Sequence, residues 1–164
     1  MKRLIKKWIS AFFTFYSLRG ISHGEGCKCN AKCGFTSRTK IGDHCHFNGM
    51  KISGSGKVQI GNRFHSGKNI RILTTFHNWN GEALPYDNTF YSRDVIIEDN
   101  VWLGEGVMIL GGVTIGEGAI IQAGSVVCKD VPPLALAGGH PAVAFKYRDR
   151  AHYDKLKAEG KYID

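Results

Sequence analysis

The chain has 164 residues, and 43% of them are apolar, which is enough for one domain with a hydrophobic core. Its 21 glycines do not recur at every third position, so the chain is not collagen-like. The net charge of +8 comes from the ends of the chain, and the middle is close to neutral. This distribution does not favour nucleic-acid binding; it suits an anionic small molecule or an anionic membrane surface as the partner.

The first predicted segment spans residues 1–20 and carries five bases and no acid. Its apolar run, Trp8–Leu18, has eleven residues, fewer than the about 20 that a membrane-spanning helix needs. No cleavage site of the A-x-A type follows, so a secretion signal is not indicated. Two roles stay open: a cap over the end of the repeat domain, which we favour, or an interfacial segment that touches a membrane.

A six-residue spacing begins near Ile21 and continues with irregularities to Ile72. The five cysteines are an odd number without a secretion signal, which predicts free thiols in a reducing, cytoplasmic location, either soluble or peripheral at the inner face of the membrane. Cys27 and Cys33 are six residues apart, so we expect both in the inward-facing aliphatic column, the set of apolar side chains that recurs every six residues. Core packing is a better explanation than zinc, because the cysteine and histidine spacing matches no common zinc module.

The spacing breaks at about residues 73–94, where a long insertion interrupts the repeats. A loop of this length in a compact domain is usually functional. The insertion contains a histidine, several aromatic residues and two acids. The histidine is His77, the two acids are Glu82 and Asp87, and the aromatic residues include Trp79 and Tyr86.

From residue 97, three sets of residues each recur every six positions. We call each set a column and name the columns aliphatic, small and corner. A helix repeats every 3.6 residues and a strand every 2, so a period of six indicates short strands joined by tight corners, a β-helix. The corner column consists of glycine, asparagine and aspartate, which tolerate a left-handed backbone conformation. The aliphatic column is Ile97, Leu103, Ile109, Ile115, Ile121 and Val127; the small column is Val101, Val107, Val113, Ala119, Ser125 and Val131; the corner column is Asn100, Gly106, Gly112, Gly118, Gly124 and Asp130. Pro132 and Pro133 end the regular repeats, and residues 149–164 are predicted to form a closing helix and tail.

Four sequence segments in this region resemble those of the hexapeptide-repeat acyltransferases. The resemblance is closest to the small sugar O-acetyltransferases of the galactoside, maltose, nodulation and surface-polysaccharide types. The resemblance covers roughly residues 21–148. It implies an all-β fold, a left-handed parallel β-helix, and a homotrimer that binds acetyl-CoA as co-substrate between subunits, with no permanently bound cofactor and no metal. The segments are IEDNVWLG at 97–104, GGVTIG at 111–116, IQAGSVVCKDVP at 121–132 and AGGHPA at 137–142.

The same resemblance assigns roles to individual residues. It implies that His77 is the general base, because its interval from the preceding Ile60-Gly61 matches that of the sugar acetyltransferases. A carboxylate of the insertion or a backbone carbonyl would fix the tautomer of the ring, and Gly111 or Gly112 could donate to an oxyanion. The expected acceptor-binding residues are Asn48, Trp79, Glu82 and Asp87. The expected residues for acetyl-CoA are Trp102, Gly112, Ala123, Gly124, Lys129, Pro141, Lys146 and Arg148.

The leading prediction is therefore an acetyl-CoA-dependent enzyme that acetylates a sugar hydroxyl in surface polysaccharide or lipopolysaccharide assembly, by direct transfer. The alternative is an N-acetyltransferase that acts on a nucleotide-linked amino sugar. A β-helical carbonic anhydrase is disfavoured, because the histidine series 44, 46, 65 and 77 lacks the pair five apart that such enzymes need. A non-catalytic solenoid is disfavoured by the histidine-bearing insertion.

Overall fold

The computed structural model describes residues 2–163, so Met1 and Asp164, the outermost residues of the two predicted terminal segments, lie outside it. Helix α1 (Lys2–Leu18) comes first, short strands follow, and helix α2 (Arg150–Ala158) comes last. The strands are β1 (Ser22–His23), β2 (Lys28–Cys29), β3 (Thr39–Ile41), β4 (His46–Phe47), β5 (Met50–Ser53), β6 (Val58–Ile60), β7 (His65–Ser66), β8 (Ile70–Leu73), β9 (Thr75–His77), β10 (Phe90–Ser92), β11 (Val95–Ile97), β12 (Trp102–Leu103), β13 (Met108–Leu110), β14 (Thr114–Ile115), β15 (Ile120–Ile121), β16 (Val126–Val127), β17 (Ala135–Gly138) and β18 (Val143–Tyr147).

Most of these strands stack in parallel into three sheets, which form the three faces of a solenoid. The first face holds β1, β3, β6, β11 and β14, the second holds β2, β4, β7, β12, β15 and β17, and the third holds β5, β8, β13 and β16. The chain passes from the first face to the second and then to the third in each turn. It makes about 6 turns, and the predicted left-handed parallel β-helix is confirmed.

Three corners join the faces, and we name them by the turn that starts at β11. The first corner, 98–101, leads from the first face to the second. The second corner, 104–107, leads from the second face to the third, and the third corner, 111–113, leads back to the first. Residues at equivalent positions of other turns belong to the same corner.

The predicted inward-facing columns form the core. Ile97 aligns with Ile60 on one side and with Ile115 on the other, and all three are at most 1% exposed. Because each turn stacks its apolar side chains on those of the next, neighbouring turns bury each other's apolar surface. The small-residue column is also buried, including its one polar member, Ser125, whose hydroxyl donates to the Gln122 carbonyl.

The corners adopt the left-handed backbone that the corner column predicts. Asn100 has a φ of 59° and Gly106 a φ of 72°. Other turns place ordinary side chains at the first corner, since His44, Arg63 and Leu134 also have positive φ, at 55°, 55° and 61°. The backbone N–H of each of these three donates to a carbonyl of a neighbouring turn at 2.7–2.8 Å. Hydrogen bonds between turns therefore hold this conformation even where glycine is absent.

The first turn corrects the prediction for the cysteines. Ile21 precedes β1, so this turn starts two residues later than expected. Cys29 therefore occupies the aliphatic column, aligned with Phe47, whereas Cys27 and Cys33 fall in the small-residue column. All of the cysteines are free thiols, and Cys29 and Cys33 are buried in the core.

Helix α1 covers the open edge of the first turn. The Thr14 hydroxyl accepts a hydrogen bond from the Cys29 backbone N–H at 2.8 Å, and the Ser17 hydroxyl accepts one from the Cys33 N–H at 3.0 Å. Phe13 packs against the core from the same side of the helix. An exposed edge would leave these N–H groups without protein partners, so the helix acts as the cap that the repeat requires.

The other end of the solenoid is closed by β18, which pairs antiparallel with β17, and by α2, which packs against the first corner. The Asp149 carboxylate caps α2 by accepting the His152 backbone N–H at 2.6 Å. The Tyr153 hydroxyl donates to a Glu117 carboxylate oxygen at 2.9 Å, and Lys157 donates to the same oxygen. Burial raises the pKa of Glu117, but these hydrogen bonds outweigh it and hold the pKa below its ordinary value. Neither helix in the described part of the chain is long and apolar enough to cross a membrane.

Neighbouring isoleucines on β11 provide a test of the core. Ile97 is buried and Ile96, on the same strand, is 41% exposed. We expect Ile97→Ala to lower the free energy of unfolding by about 2–5 kcal/mol, because it leaves a cavity in the column. Ile96→Ala is the matched control and should cost less than about 1 kcal/mol. Urea unfolding of both variants measures the difference, and equal losses would contradict this assignment of the core.

Candidate active site

The insertion leaves the solenoid at the third corner as a hairpin. β9 pairs antiparallel with β10, so that His77 lies opposite Phe90. Hydroxyl groups join the base of the hairpin to the turn before it: Ser92 Oγ lies 2.6 Å from Ser55 Oγ and 2.9 Å from Thr75 Oγ1. The hairpin therefore projects from a fixed base.

The His77 ring lies between two aromatic rings near the end of β9. It stacks on Tyr86 with ring centroids 3.7 Å apart and planes at 20°, and its centroid is 4.6 Å from that of Phe90. The side chain is exposed, and no residue within 2–163 forms a hydrogen bond with the ring. The aromatic contacts fix the plane of the imidazole and leave its nitrogens accessible, as proton transfer to or from a substrate requires.

Asp87 organises the insertion through hydrogen bonds within the loop. Its carboxylate accepts the Thr89 hydroxyl at 2.5 Å, the Thr89 backbone N–H at 2.8 Å and the Glu82 backbone N–H at 3.0 Å. These hydrogen bonds, led by that of the Thr89 hydroxyl, hold the pKa of Asp87 below its ordinary value of 3.8. The carboxylate therefore serves the loop and does not contact the His77 ring.

The remaining predicted acceptor residues lie in two places. Trp79 is an exposed side chain of the insertion, 5.6 Å from the Tyr91 ring, and Tyr91 donates to the Asn78 side-chain oxygen at 2.6 Å. Asn48 lies instead at the second corner, where its amide donates to the Ser66 carbonyl at 2.6 Å. The chain thus keeps Trp79, Glu82 and Asp87 in the same insertion as His77, and it places Asn48 at a different corner.

The predicted contacts to acetyl-CoA are spread around the solenoid. Gly112 lies at the third corner, and its N–H already donates to the Asp94 carbonyl at 2.8 Å, which leaves Gly111 as the candidate oxyanion donor. Ala123 and Gly124 lie at the second corner, where the Gly124 N–H donates to the Glu105 carbonyl. The Gly124 carbonyl accepts the ring N–H of the histidine that precedes Pro141.

The charged and aromatic members of this set are equally dispersed. Lys129 lies at the third corner and Lys146 on β18. Arg148 lies near the first corner, where its guanidinium donates to the Gly118 carbonyl at 3.2 Å. Trp102 is exposed on the second face. A single copy of the chain does not assemble these residues into one groove.

A cavity beside α2 was not anticipated from the sequence. It has a volume of about 380 Å³ and lies between the second face and the closing helix. Arg63 lies over the Tyr162 ring at 3.7 Å, and Arg148 and Lys157 add positive charge to the lining. The repeat pattern gives no signal for this cavity, because α2 lies outside the repeats and the six-residue spacing does not predict where it packs. Its chemistry suits an anionic ligand with an aromatic ring. The stack of Tyr86 on His77 was also missed, since loop closure rather than periodicity creates it.

Comparisons with known proteins identify relatives of this chain. The bacterial transferase hexapeptide (six repeats) family matches residues 94–129. The maltose O-acetyltransferase of Clostridium difficile 630 is 31% identical, over 80% of this chain and 68% of its own, with a TM-score of 0.53. No curated protein sequence matches the chain significantly.

Two further solved structures align over most of the chain. The hexapeptide-repeat acetyltransferase VCA0836 of Vibrio cholerae is 28% identical, over 90% of this chain and 89% of its own, with a TM-score of 0.72. A galactoside acetyltransferase in complex with coenzyme A is 27% identical, over 95% of this chain and 83% of its own, with a TM-score of 0.69.

The role of Asp87 can be tested through the order of the insertion. Because its carboxylate holds three loop groups, we expect Asp87→Ala to increase proteolytic cleavage between residues 78 and 90 several-fold. Glu82→Ala is the matched control, since the backbone N–H of Glu82 contacts Asp87 and its side chain does not. Mass spectrometry of limited digests identifies the cut sites, and equal cleavage in the two variants would contradict this role.

The lowered pKa also fixes the direction of the pH dependence. The ionised Asp87 carboxylate stabilises the folded insertion at pH values above the ordinary pKa of aspartate. This stabilisation is lost as the pH falls through the lower pKa that Asp87 has in the folded state. The backbone amide resonance of Thr89 should therefore titrate with a midpoint below pH 3.8. A midpoint at or above that value would show that the hydrogen bonds do not favour the ionised form.

Proposed function

Because this chain belongs to the hexapeptide-repeat family of acyltransferases, we propose that it transfers the acetyl group of acetyl-CoA to a hydroxyl group of a sugar. The observation that carries the proposal is the accessible His77 imidazole, held between Tyr86 and Phe90 on a hairpin that interrupts the repeats. Similarity to a maltose O-acetyltransferase and to a galactoside acetyltransferase supports a sugar as acceptor and a hydroxyl as the attacking group.

In the proposed reaction, His77 removes the proton of the acceptor hydroxyl as the oxygen attacks the thioester carbonyl of acetyl-CoA. The tetrahedral intermediate carries an oxyanion, for which the Gly111 N–H is the candidate donor. When the intermediate collapses, the carbon–sulfur bond breaks, and the imidazolium returns its proton to the departing thiolate. The products are the sugar ester and free CoA. A covalent acyl-enzyme is not needed, because acceptor and donor can bind together.

We further propose that the active enzyme is a homotrimer. Within one subunit the predicted donor residues lie at different corners, and Asn48 is remote from the insertion. A groove between subunits can place the third corner of one subunit, with its hairpin, against another face of the next, which a single subunit cannot do. A neighbouring subunit could also supply the hydrogen-bond partner that orients the His77 ring.

A product of this kind fits the assembly of surface polysaccharide or lipopolysaccharide on the cytoplasmic side of the membrane. Sugars with several free hydroxyls are the acceptors there, and acetyl-CoA is the acetyl donor that the related structures suggest. An amine would be deprotonated by the same base. Amino sugars are therefore among the acceptors to be tested.

The base is tested by measuring free-thiol release from acetyl-CoA with free sugars, glycosides and nucleotide-linked amino sugars as acceptors. We expect His77→Ala to lower kcat by about 10²- to 10⁴-fold and to leave trimer formation and acetyl-CoA affinity unchanged. The exposed His152, on α2, provides the matched control His152→Ala. Full turnover by His77→Ala would overturn the assignment, and turnover with amino sugars alone would change it to N-transfer.

The stack on Tyr86 gives a separate prediction about positioning. Tyr86→Phe keeps a ring against the imidazole, whereas Tyr86→Ala removes it. We expect Tyr86→Ala to lower kcat on the order of 10- to 100-fold and the phenylalanine variant to retain near wild-type kcat. The KM for acetyl-CoA should stay unchanged in both, because Tyr86 acts on the base. If both variants lost activity equally, the hydroxyl rather than the stack would be the important group.

A further inference from the structure

Helix α1 has two opposite faces with different chemistry. Its inner face, which includes Thr14 and Ser17, contacts the first turn and caps it. At 3.6 residues per turn, the large apolar side chains of the helix gather on the opposite side. Trp8 is 75% exposed, Phe15 66% and Phe12 57%. The exposed apolar residues of this outer face are Leu4, Ile5, Trp8, Ile9, Phe12, Phe15 and Tyr16. A contiguous apolar patch of this kind marks an interaction surface.

The charge around the outer face indicates what covers it. Residues 1–20 contain five bases and no acid. Lys6 and Lys7 are exposed in the N-terminal half of the helix, about two turns before Phe13 and Thr14, and Lys28 and Lys32 are exposed on the first turn beside the helix. A second copy packed face to face would bring two strongly basic surfaces together, which is unfavourable. An anionic surface that also accepts apolar side chains fits both features.

We propose that α1 lies in the interface of an anionic lipid bilayer, with its aromatic outer face inserted among the lipids and its lysines on the headgroups. A helix with one aromatic face, basic flanks and too few apolar residues to span the bilayer binds in the plane of the interface. Because the inner face of α1 is hydrogen-bonded to the first turn, the N-terminal end of the solenoid faces the membrane.

The proposal is tested by sedimentation of the full chain with vesicles of phosphatidylcholine alone or mixed with phosphatidylglycerol. We expect binding to the anionic vesicles, and about tenfold weaker binding for Trp8→Ser, Phe12→Ser, Phe15→Ser. The matched control is Val143→Ser, Phe145→Ser, Tyr147→Ser, which removes three side chains of comparable exposure from β18. This control should bind as the wild type does.

A second variant, which changes only exposed charges, distinguishes weaker membrane binding from unfolding caused by the serine substitutions. Lys6→Glu with Lys7→Glu changes no buried contact and should weaken binding to anionic vesicles about tenfold or more, whereas Lys51→Glu with Lys57→Glu should have little effect. In a Trp79→Phe, Trp102→Phe background, the emission of Trp8 should shift to the blue when anionic vesicles are added.

Three results would overturn the proposal. The first is an absence of wild-type binding together with unchanged Trp8 emission. The second is equal binding of the wild type to both kinds of vesicle. The third is a fall in oligomeric mass of the Trp8, Phe12 and Phe15 variant, measured by light scattering, which would show that the outer face is a contact between copies.

Discussion

The backbone hydrogen bonds between successive turns are the constraint on which the rest of this structure depends. The N–H of Gly42 donates to the carbonyl of Ile60, and that of Gly61 to the carbonyl of Ile97, at 2.7–2.8 Å. Such bonds can form only if every turn keeps the same path, so the faces tolerate no extra residues. An insertion is possible only at a corner, which is where the chain between β8 and β11 leaves the solenoid. The position of the candidate base thus follows from the requirements of the repeat.

The same constraint explains how the insertion can be both long and ordered. Its base is held to the third corner through the hydroxyl groups of Ser92 and Ser55, and its interior is held by Asp87. The His77 ring is placed by contacts with Tyr86 and Phe90, which are separated from it in sequence. The solenoid contributes a rigid platform, and the loop carries the proposed base.

The sequence predicts the parts of the molecule that repeat. The columns from Ile97 onward are buried as expected, and most of the corner column is left-handed, because one geometric rule governs every turn. The prediction was wrong for Cys27 and Cys33, since the turn that follows α1 has no preceding turn to set its phase. The contacts of His77 and the cavity beside α2 could not be predicted, because they depend on how non-repeating segments fold back on the solenoid. The homotrimer and the residue roles remain predictions.

The ends of a solenoid leave unpaired edges, and here both ends are closed by helices, but the two helices differ. The outer surface of α2 is charged, whereas that of α1 is aromatic and basic at its margins. Capping requires only one face of a helix, so the composition of the other face must have a separate cause. Parallel strands are spaced by about 4.8 Å, so β8 stands about 10 Å from the first turn on the third face. A solenoid seated on a bilayer by α1 would hold the hairpin in water, close to the headgroups.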